Sequence, residues 1–339
     1  ENIGIRPGEK LHEVLINQEE MRYCWDLEHK FMISNPAVKD NDVINSYNSN
    51  IKKNSSLDSY TSENTEKLSS EEIKKLILEI EKKKMKFNYS LNHNEVFVIA
   101  EAGSNWKVGT YDQDIQRAQE LIKAAAHAGA DAIKFQTYNA ASVYSENAGK
   151  SNYLSKQGIT ENVEEIFDKF SMPYDMIPKL AQMCNDQKIE FMSTPFSVED
   201  AKQIDPFVLI HKIASFEINH IRLLEFLAKT GKPLLISTGA STMSEIEFAI
   251  DICKKNGNNK ITLLQCTSKY PAPLSSMNLS VIKKLKNKFD IPVGFSDHSI
   301  EPIIAPLLSI SYGASVIEKH FTLDKKLPGP DHSFALEPN

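Results

Sequence analysis

Eight short apolar runs alternate with amphipathic stretches between Val96 and His320, and this alternation constrains the fold more than any other feature of the sequence. Each run is apolar enough to be covered on both faces, which is typical of parallel strands flanked by helices. Eight regular units predict an α/β fold, a (β/α)8 TIM barrel, over residues 93–339. An open doubly wound sheet is the alternative, but no GxGxxG motif follows the first run. The runs are VFVIAE, DAIKFQ, IEFMST, FVLIHKIAS, PLLIST, ITLLQCT, IPVGFSD and ASVIEKH.

The composition changes ahead of the barrel. Residues 36–92 are rich in Asn, Ser, Lys and Glu, with few apolar residues before Ile73. They are therefore predicted to be a disordered, low-complexity linker. A short helix is predicted inside it from an N-cap at Ser70, because apolar residues follow at helical spacing. Residues 1–35 are predicted to be a separate short fragment, and the absence of a leading Met predicts a piece of a longer chain.

Charge and hydropathy exclude several classes of partner. The 339 residues carry a net charge of −6, so neither nucleic acid nor an anionic membrane is predicted as a partner. No apolar run reaches about 18 residues, so no membrane span is predicted. No charged-then-apolar leader follows Glu1, so no signal peptide is predicted. Four cysteines without CxxC spacing predict reduced, mostly buried thiols in a cytoplasmic protein.

Nearly every predicted strand ends in polar or ionisable residues. TIM barrels carry their active sites at the carboxyl ends of the strands, so these side chains are expected to converge on one mouth. Singly, each is more simply explained as a helix cap, a turn former or a satisfied histidine. The strand-end residues are Glu101, Lys134, Gln136, Ser193, Thr194, His211, Lys212, Ser215, Ser237, Thr238, Gln265, Thr267, Ser268, Ser296, Asp297, His298, Glu318, Lys319 and His320.

Taken together, these residues predict a binding site for an anion and a metal ion. Lys134 and Lys212, with several Ser and Thr hydroxyls, are typical of an anion receptor. His298 and His320 come from neighbouring strands with carboxylates close by, which predicts a divalent-metal site with open positions. The cavity is therefore predicted to hold a small phosphorylated or carboxylated substrate beside a Lewis-acidic metal.

Nine spaced motifs resemble those of the sialic acid synthase family, which includes the legionaminate and pseudaminate synthases, and they occur in the family's order. The resemblance runs from about Val96 to Asn339. It implies a barrel enzyme, active as a homodimer, that condenses phosphoenolpyruvate with an N-acetylated hexosamine to give a nine-carbon nonulosonic acid and phosphate. The motifs are IAEAGSN, IKFQT, MSTPFS, KIAS, STGAS, CTSKYP, GFSDHS, IEKHFT and PGPDH.

The same resemblance implies roles for individual residues. His298 and His320 would hold Mn²⁺, or else Mg²⁺ or Co²⁺, and Glu101 would position or deprotonate the water that adds at C2. Glu101, Lys134, Lys212 and Asp331 form the implied catalytic group. The implied phosphoenolpyruvate shell is Lys134, Thr194, Lys212, Ser215, Ser237, Ser268 and Ser296. The implied amino-sugar side is Glu101, Gln136, Tyr270, Glu318 and Asp331.

The chain departs from the family pattern at three places. Trp106 stands where the family has a histidine, and Ser268 stands where relatives carry an asparagine. The family's barrel continues into a small antifreeze-like domain that contributes an arginine to the partner subunit's sugar site. This sequence is expected to lack that domain and its contact.

Residues 1–35 resemble a different family. The stretches GIRPGEKLHEVLI and MRYCWDLEHKFMI are similar to the C-terminal tail of nucleotide-sugar 4,6-dehydratases. A dehydratase tail fused to a synthase barrel favours a 2,4-diacetamido-2,4,6-trideoxyhexose over N-acetylmannosamine as the acceptor. Two alternatives stay open: another phosphoenolpyruvate-dependent ulosonate synthase, and a non-catalytic barrel module fused to a dehydratase. The SDH, EKH and GPDH sequences oppose the first, and the charged, metal-competent mouth opposes the second.

Overall fold

The computed structural model describes residues 95–139 and 163–338, together with five short strands nearer the N-terminus. The chain divides into two compact units, Glu1–Ile80 and Glu81–Asn339. The predicted helix after Ser70 lies outside the described residues, and the predicted dehydratase-like tail is described only where it forms strands.

The first unit contains two small antiparallel sheets. One pairs Val14–Ile16 with Tyr60–Thr61. In the other, Cys24–Asp26 lies between Phe31–Ile33 and Lys52–Lys53. Two of these strands, at 52–53 and 60–61, fall in the range that the sequence predicts as linker.

The second unit contains the predicted parallel barrel. Its eight strands lie in the order β3-β2-β1-β8-β7-β6-β5-β4. β8 pairs in parallel with β1, so the first and last strands meet and the ring is nearly closed, as predicted. The strands are β1 (Phe97–Gly103), β2 (Ala132–Thr137), β3 (Glu190–Pro195), β4 (His211–Ile213), β5 (Leu234–Ser237), β6 (Ile261–Cys266), β7 (Val293–Asp297) and β8 (Val316–His320).

A helix follows each of the first seven strands. The longest, α1, begins after a capping box formed by Thr110 and Gln113 and ends before Gly129, whose φ is +84°. The helices are α1 (Tyr111–His127), α2 (Val163–Lys169), α3 (Ile177–Asp186), α4 (Val198–Ile204), α5 (Ile221–Lys229), α6 (Met243–Lys255), α7 (Ser280–Phe289) and α8 (Ile304–Ser311). α2 is an additional helix between β2 and α3. Within the described part of the chain, no helix combines the length and apolarity that a membrane crossing requires.

The fourth strand is shorter than its sequence predicts. The apolar run begins at Phe207, but Asp205–Phe207 forms a 3-10 helix and β4 starts only at His211. Pro206 has no N–H to donate to a strand ladder, and Leu209 remains 43% exposed. His211 therefore begins β4 instead of ending it.

Strand alternation divides the barrel interior into an apolar floor and a polar mouth. Successive side chains on a strand point to opposite faces, so residues two apart share a face. An apolar cluster fills the floor: Phe97, Ile99, Ala132, Met192, Ile210, Leu235, Leu264 and Val316. On β1, β2, β3, β4, β5 and β8, the residue two positions beyond a member of this cluster is polar. On β7, Gly294 fits beside the floor because a Cβ there would lie 2.5 Å from Leu264 Cδ2 and 2.6 Å from the carbonyl oxygen of Val316.

Candidate active site

A cavity of about 530 Å³ lies at the carboxyl ends of the barrel strands. All the predicted site residues except Ser268 line it. Its polar wall comes from Glu101, Ser104, Lys134, Gln136, Thr194, Lys212, Ser215, Ser237, Tyr270, Ser296, His298, Glu318, His320 and Asp331. Its remaining lining residues are Tyr138, Phe167, Phe170, Phe196, Ala214, Phe216, Cys266 and Pro330.

Two buried lysines and two buried carboxylates form the centre of this cavity. Lys134 Nζ contacts Glu101 Oε2 directly and lies 3.7 Å from Glu318 Oε2. Lys212 Nζ lies 3.4 Å from Glu318 Oε1. Glu318 therefore bridges the two ammonium groups, while Glu101 pairs with only one of them, that of Lys134.

Hydroxyl groups surround the two lysines. Lys134 Nζ donates to Thr194 Oγ1 at 3.1 Å, and Lys212 Nζ donates to Ser237 Oγ at 2.8 Å. Ser296 Oγ donates to Glu318 Oε1 at 2.8 Å. These groups can turn toward an incoming anion, because a hydroxyl can donate as well as accept. The combination of two ammonium groups and several hydroxyls is suited to carboxylate and phosphate oxygens.

The two carboxylates differ in acidity because their neighbours differ. Burial raises the pKa of Glu101 to about 7, and the single ammonium of Lys134 only partly offsets this effect. Burial also acts on Glu318, but Lys134 and Lys212 together outweigh it and lower its pKa to about 2. At neutral pH Glu318 is thus a fixed negative charge, whereas Glu101 is poised to exchange a proton. Such a pair is typical of acid–base catalysis.

His298, which follows β7, and His320, which ends β8, meet at one side of the cavity. Their ring centroids lie 5.6 Å apart, and Tyr270 stacks on His298 at 4.2 Å. His298 Nδ1–H donates to the carbonyl oxygen of Thr267 at 2.7 Å, which leaves Nε2 as its lone-pair nitrogen. Burial lowers the pKa of His298 to about 4 and that of His320 well below its usual value. Both rings are therefore neutral at pH 7, the form that binds metals.

The proposed amino-sugar side contains a third carboxyl group. Burial raises the pKa of Asp331 to about 6, against the hydrogen bonds from Ser104 that lower it. Ser104 Oγ donates to Asp331 Oδ2 at 3.2 Å. Gly103, at φ +50°, permits this approach, since a Cβ there would lie 2.9 Å from Asp331 Oδ2. Gln136 Nε2 donates to Glu101 Oε1 at 3.1 Å and so connects this side to the lysine centre.

Several strand-end residues do not enter the cavity. His211 Nε2 pairs with Asp205 Oδ1 at 2.9 Å, and Gln265 Nε2 donates to the carbonyl oxygen of Met277. Asp297 and Lys319 pair with each other on the opposite face of their strands. Asp297 and Lys319 lie next to cavity residues at the ends of β7 and β8. Their side chains point away from the cavity because successive side chains on a strand alternate between its two faces.

The structure places both residues that depart from the family pattern, Trp106 and Ser268, outside the cavity lining. Trp106 is 1% exposed and packs in the apolar core with Ala100 and Phe321, so it serves packing and does not replace a histidine in the cavity. Ser268 was expected in the phosphoenolpyruvate shell, but it does not line the cavity. Its hydroxyl is buried next to Gly239 and has no hydrogen-bond partner within the described ranges.

Sequence reasoning missed Ser104 and the aromatic wall. Ser104 could have been found, because it follows Glu101 and Gly103 at the end of β1. Tyr138, Phe167 and Phe196 offer no comparable signal. Tyr138 follows β2, Phe167 lies on α2 and Phe196 follows β3. Only the fold places the Tyr138 ring 5.1 Å from that of Phe167 and 5.5 Å from that of Phe196.

This arrangement is a TIM barrel whose mouth carries two buried ammonium groups and a pair of histidines that form a candidate metal site. The chain belongs to the NeuB family, whose sequence pattern matches residues 121–339.

Relatives and solved structures agree with this family. The chain is 40% identical over 72% of its length to the spore coat polysaccharide biosynthesis protein SpsE of Bacillus subtilis, and it covers 64% of that protein. It is 38% identical to the N,N'-diacetyllegionaminic acid synthase of Legionella pneumophila, over 71% of this chain and 68% of the relative. The structure of an N-acetylneuraminic acid synthetase from Leptospira borgpetersenii, in complex with citrate, aligns with a TM-score of 0.63 at 37% identity. It covers 73% of this chain and 80% of the other.

Proposed function

We propose that this protein condenses phosphoenolpyruvate with an N-acetylated amino sugar to give a nine-carbon nonulosonic acid and phosphate. The observation that carries the proposal is the buried pair Lys134 and Lys212, bridged by Glu318 and surrounded by hydroxyls. Two desolvated ammonium groups are costly to keep without anionic partners. Phosphoenolpyruvate, a trianion, can supply such partners through its carboxylate and phosphate oxygens. The similarity to a legionaminic acid synthase and an N-acetylneuraminic acid synthetase supports the choice of reaction.

The chain's own residues can bind and orient both reactants. Lys134 and Lys212 neutralise the carboxylate and phosphate, and Thr194, Ser237 and Ser296 add hydrogen bonds. C3 of phosphoenolpyruvate forms a bond to the aldehyde carbon of the open-chain sugar, whose oxygen takes a proton. Water adds at C2, and phosphate leaves as the C2–O bond breaks. Holding the reactants in line supplies much of the acceleration.

Glu101 is the proposed base for the water. Its pKa of about 7 allows it to exchange a proton near neutral pH. Its contact with Lys134 places it beside the proposed site of the phosphoenolpyruvate. Asp331, with a pKa of about 6, is the proposed acidic group on the sugar side.

His298 and His320 are the proposed ligands of a divalent metal, Mn²⁺ by preference. The fit rests on the unprotonated state of both rings and on the buried Nδ1 of His320, which has no hydrogen-bond partner in the part of the chain that the structure describes. Among the same residues, no group of three or more His, Cys, Asp or Glu side chains is arranged around one point. Two imidazoles would thus leave open positions for water and substrate. When bound, the ion would polarise the carbonyl group of the acceptor.

Phosphate release from phosphoenolpyruvate tests the proposal. The protein is assayed with Mn²⁺ and, in parallel, with N-acetylmannosamine and a 2,4-diacetamido-2,4,6-trideoxyhexose; we expect the second to react faster. His320→Ala should abolish Mn²⁺-dependent turnover, and the exposed His127→Ala serves as its matched control. If protein that binds Mn²⁺ released no phosphate with either sugar, the proposed acceptors would be contradicted.

We further propose a homodimer that acts in the cytoplasm. An exposed apolar surface on and beside α8 supports self-association, because a helix that is apolar on every side is typically covered. Its members are Ile300, Ile303, Ile304, Leu307, Leu308, Ile310 and Tyr312. The free, buried thiols of Cys184, Cys253 and Cys266 support a reducing compartment. Sedimentation velocity checks the dimer, and a monomer at micromolar concentration would contradict it.

A further inference from the structure

A buried ion pair lies on the outer face of the barrel beside the two histidines. Lys319 Nζ lies 2.6 Å from Asp297 Oδ2 and donates to the carbonyl oxygen of Ser299 at 2.8 Å. Asp297 Oδ1 accepts the backbone N–H of Ser299 at 2.8 Å. All three residues are buried. They form a closed network in which both charges have a partner.

This pair occupies a position where apolar residues would be expected. The preceding outward residues, Phe295 of β7 and Ile317 of β8, belong to the core between strands and helices. Asp297 and Lys319 are the next outward residues and are direct partners in the strand register. Replacing a buried ion pair by apolar residues is commonly neutral or stabilising. Global stability therefore does not explain the pair, whereas a local geometric role does.

The pair immediately precedes both histidines. His298 follows Asp297, and His320 follows Lys319. β7 ends at Asp297, so the strand ladder does not hold His298, although its carbonyl oxygen accepts the backbone N–H of Ala272 at 2.9 Å. The residues on either side of it, Asp297 and Ser299, are both bound to Lys319. The chain segment that carries one histidine is thus attached to the residue next to the other.

We infer that the Asp297–Lys319 pair is a positioning element that sets the spacing and direction of the His298 and His320 rings. Through them it would tune the affinity for the proposed divalent ion. Only this last step rests on the proposed function; the positioning of the rings stands on the geometry alone. Without the pair, His298 keeps its bonds to Ala272 and Thr267, but nothing ties its segment to the residue next to His320, so the spacing between the two rings would change.

The test observes the histidine rings directly. The full chain is labelled with ¹⁵N-histidine, and its ring signals are recorded by NMR and assigned with His298→Ala and His320→Ala. Lys319→Met removes the ammonium and keeps the length of the stem, and Asp297→Asn keeps the shape of its side chain. Both should shift or broaden the two ring signals and raise the Mn²⁺ dissociation constant by about tenfold.

Lys232→Met is the matched control. Lys232 Nζ pairs with Asp205 Oδ1 at 2.8 Å, next to the amino ends of β4 and β5 and far along the chain from both histidines. This variant should melt at a lower temperature with the ring signals of His298 and His320 unchanged.

Each outcome decides a separate claim. If Lys319→Met and Asp297→Asn lower the melting temperature but leave both ring signals in place, the pair is only structural and the inference is overturned. If Mn²⁺ fails to broaden the wild-type ring signals while the variants still move them, the metal proposal fails and the positioning inference stands. Should Lys319→Met and Asp297→Asn not fold, Ser299→Ala replaces them. It removes a hydroxyl that donates to Asp297 Oδ2 at 3.1 Å, and an unmoved His298 signal would overturn the inference.

Discussion

Replacing Glu318 by Gln removes the carboxylate that bridges the two buried lysines. Glu318 lies 3.7 Å from Lys134 Nζ and 3.4 Å from Lys212 Nζ. Lys134 keeps Glu101 as a partner, but Lys212 keeps only uncharged ones, the hydroxyl of Ser237 and the carbonyl oxygen of Ile213. Removing one partner of a buried pair costs about 3–5 kcal/mol. Since one lysine stays paired, we expect about 3 kcal/mol, the low end of that range.

Thermal unfolding measures this loss. A domain of this size loses roughly 2–4 °C per kcal/mol, so Glu318→Gln should melt roughly 6–12 °C below wild type at pH 7.5. Inorganic phosphate should stabilise the variant more than the wild type, because a bound anion replaces the missing charge. The matched control is Glu247→Gln, which breaks the exposed pair with Lys288 and should change stability by less than about 1 kcal/mol.

The pH dependence of stability is an independent test that ionised Glu318 stabilises the folded protein. The pKa of Glu318 is lowered from 4.5 to about 2 in the folded protein. Its contribution to stability is therefore complete above about 4.5 and is lost as the pH falls toward 2. The difference in melting temperature between wild type and Glu318→Gln should shrink over the same interval. Equal melting temperatures at pH 7.5 would refute the reasoning, since they would mean that Lys212 does not need its carboxylate.

Two further predictions concern catalysis. Because burial raises the pKa of Glu101 to about 7, turnover should rise as the pH increases through 7, when the base form appears. Glu101→Gln should abolish this rise of turnover with pH and lower kcat by at least about 100-fold. A variant with the wild-type pH profile would show that Glu101 is not the base. Lys134→Ala should raise the KM for phosphoenolpyruvate by roughly 10–100-fold, because a charge-assisted hydrogen bond contributes about 1.5–3 kcal/mol. Steady-state kinetics at saturating acceptor measures this change, and an unchanged KM would place the anion elsewhere.

The barrel could be predicted because its information is local. Each strand is a short apolar run covered on both faces, and each run is separated from the next by a helical stretch. The strand that differed, β4, did so where Asp205–Phe207 forms a 3-10 helix in place of extended chain. Most of the predicted site residues also lie where expected, since a parallel barrel brings all the strand ends to one mouth.

Which strand-end residues face the cavity was decided by the tertiary structure. Lys212 enters the cavity while its neighbour His211 pairs with Asp205 outside it. Likewise His320 points inward and Lys319 outward. One residue of shift exchanges the two faces of a strand, and the sequence alone does not define strand register to one residue.

The acidities of the site also depend on contacts between distant parts of the chain. Apart from the roles that the family resemblance implies, the sequence shows Glu101 and Glu318 only as two carboxylates at strand ends, with nothing to separate their acidities. Closure of the barrel brings β8 beside β1 and places Glu318 between two ammonium groups and Glu101 beside one. The sequence by itself determined the barrel and the chemical groups at its mouth. The tertiary structure decided which carboxyl is ionised and which is poised to take a proton, because burial and the number of nearby charges set each pKa.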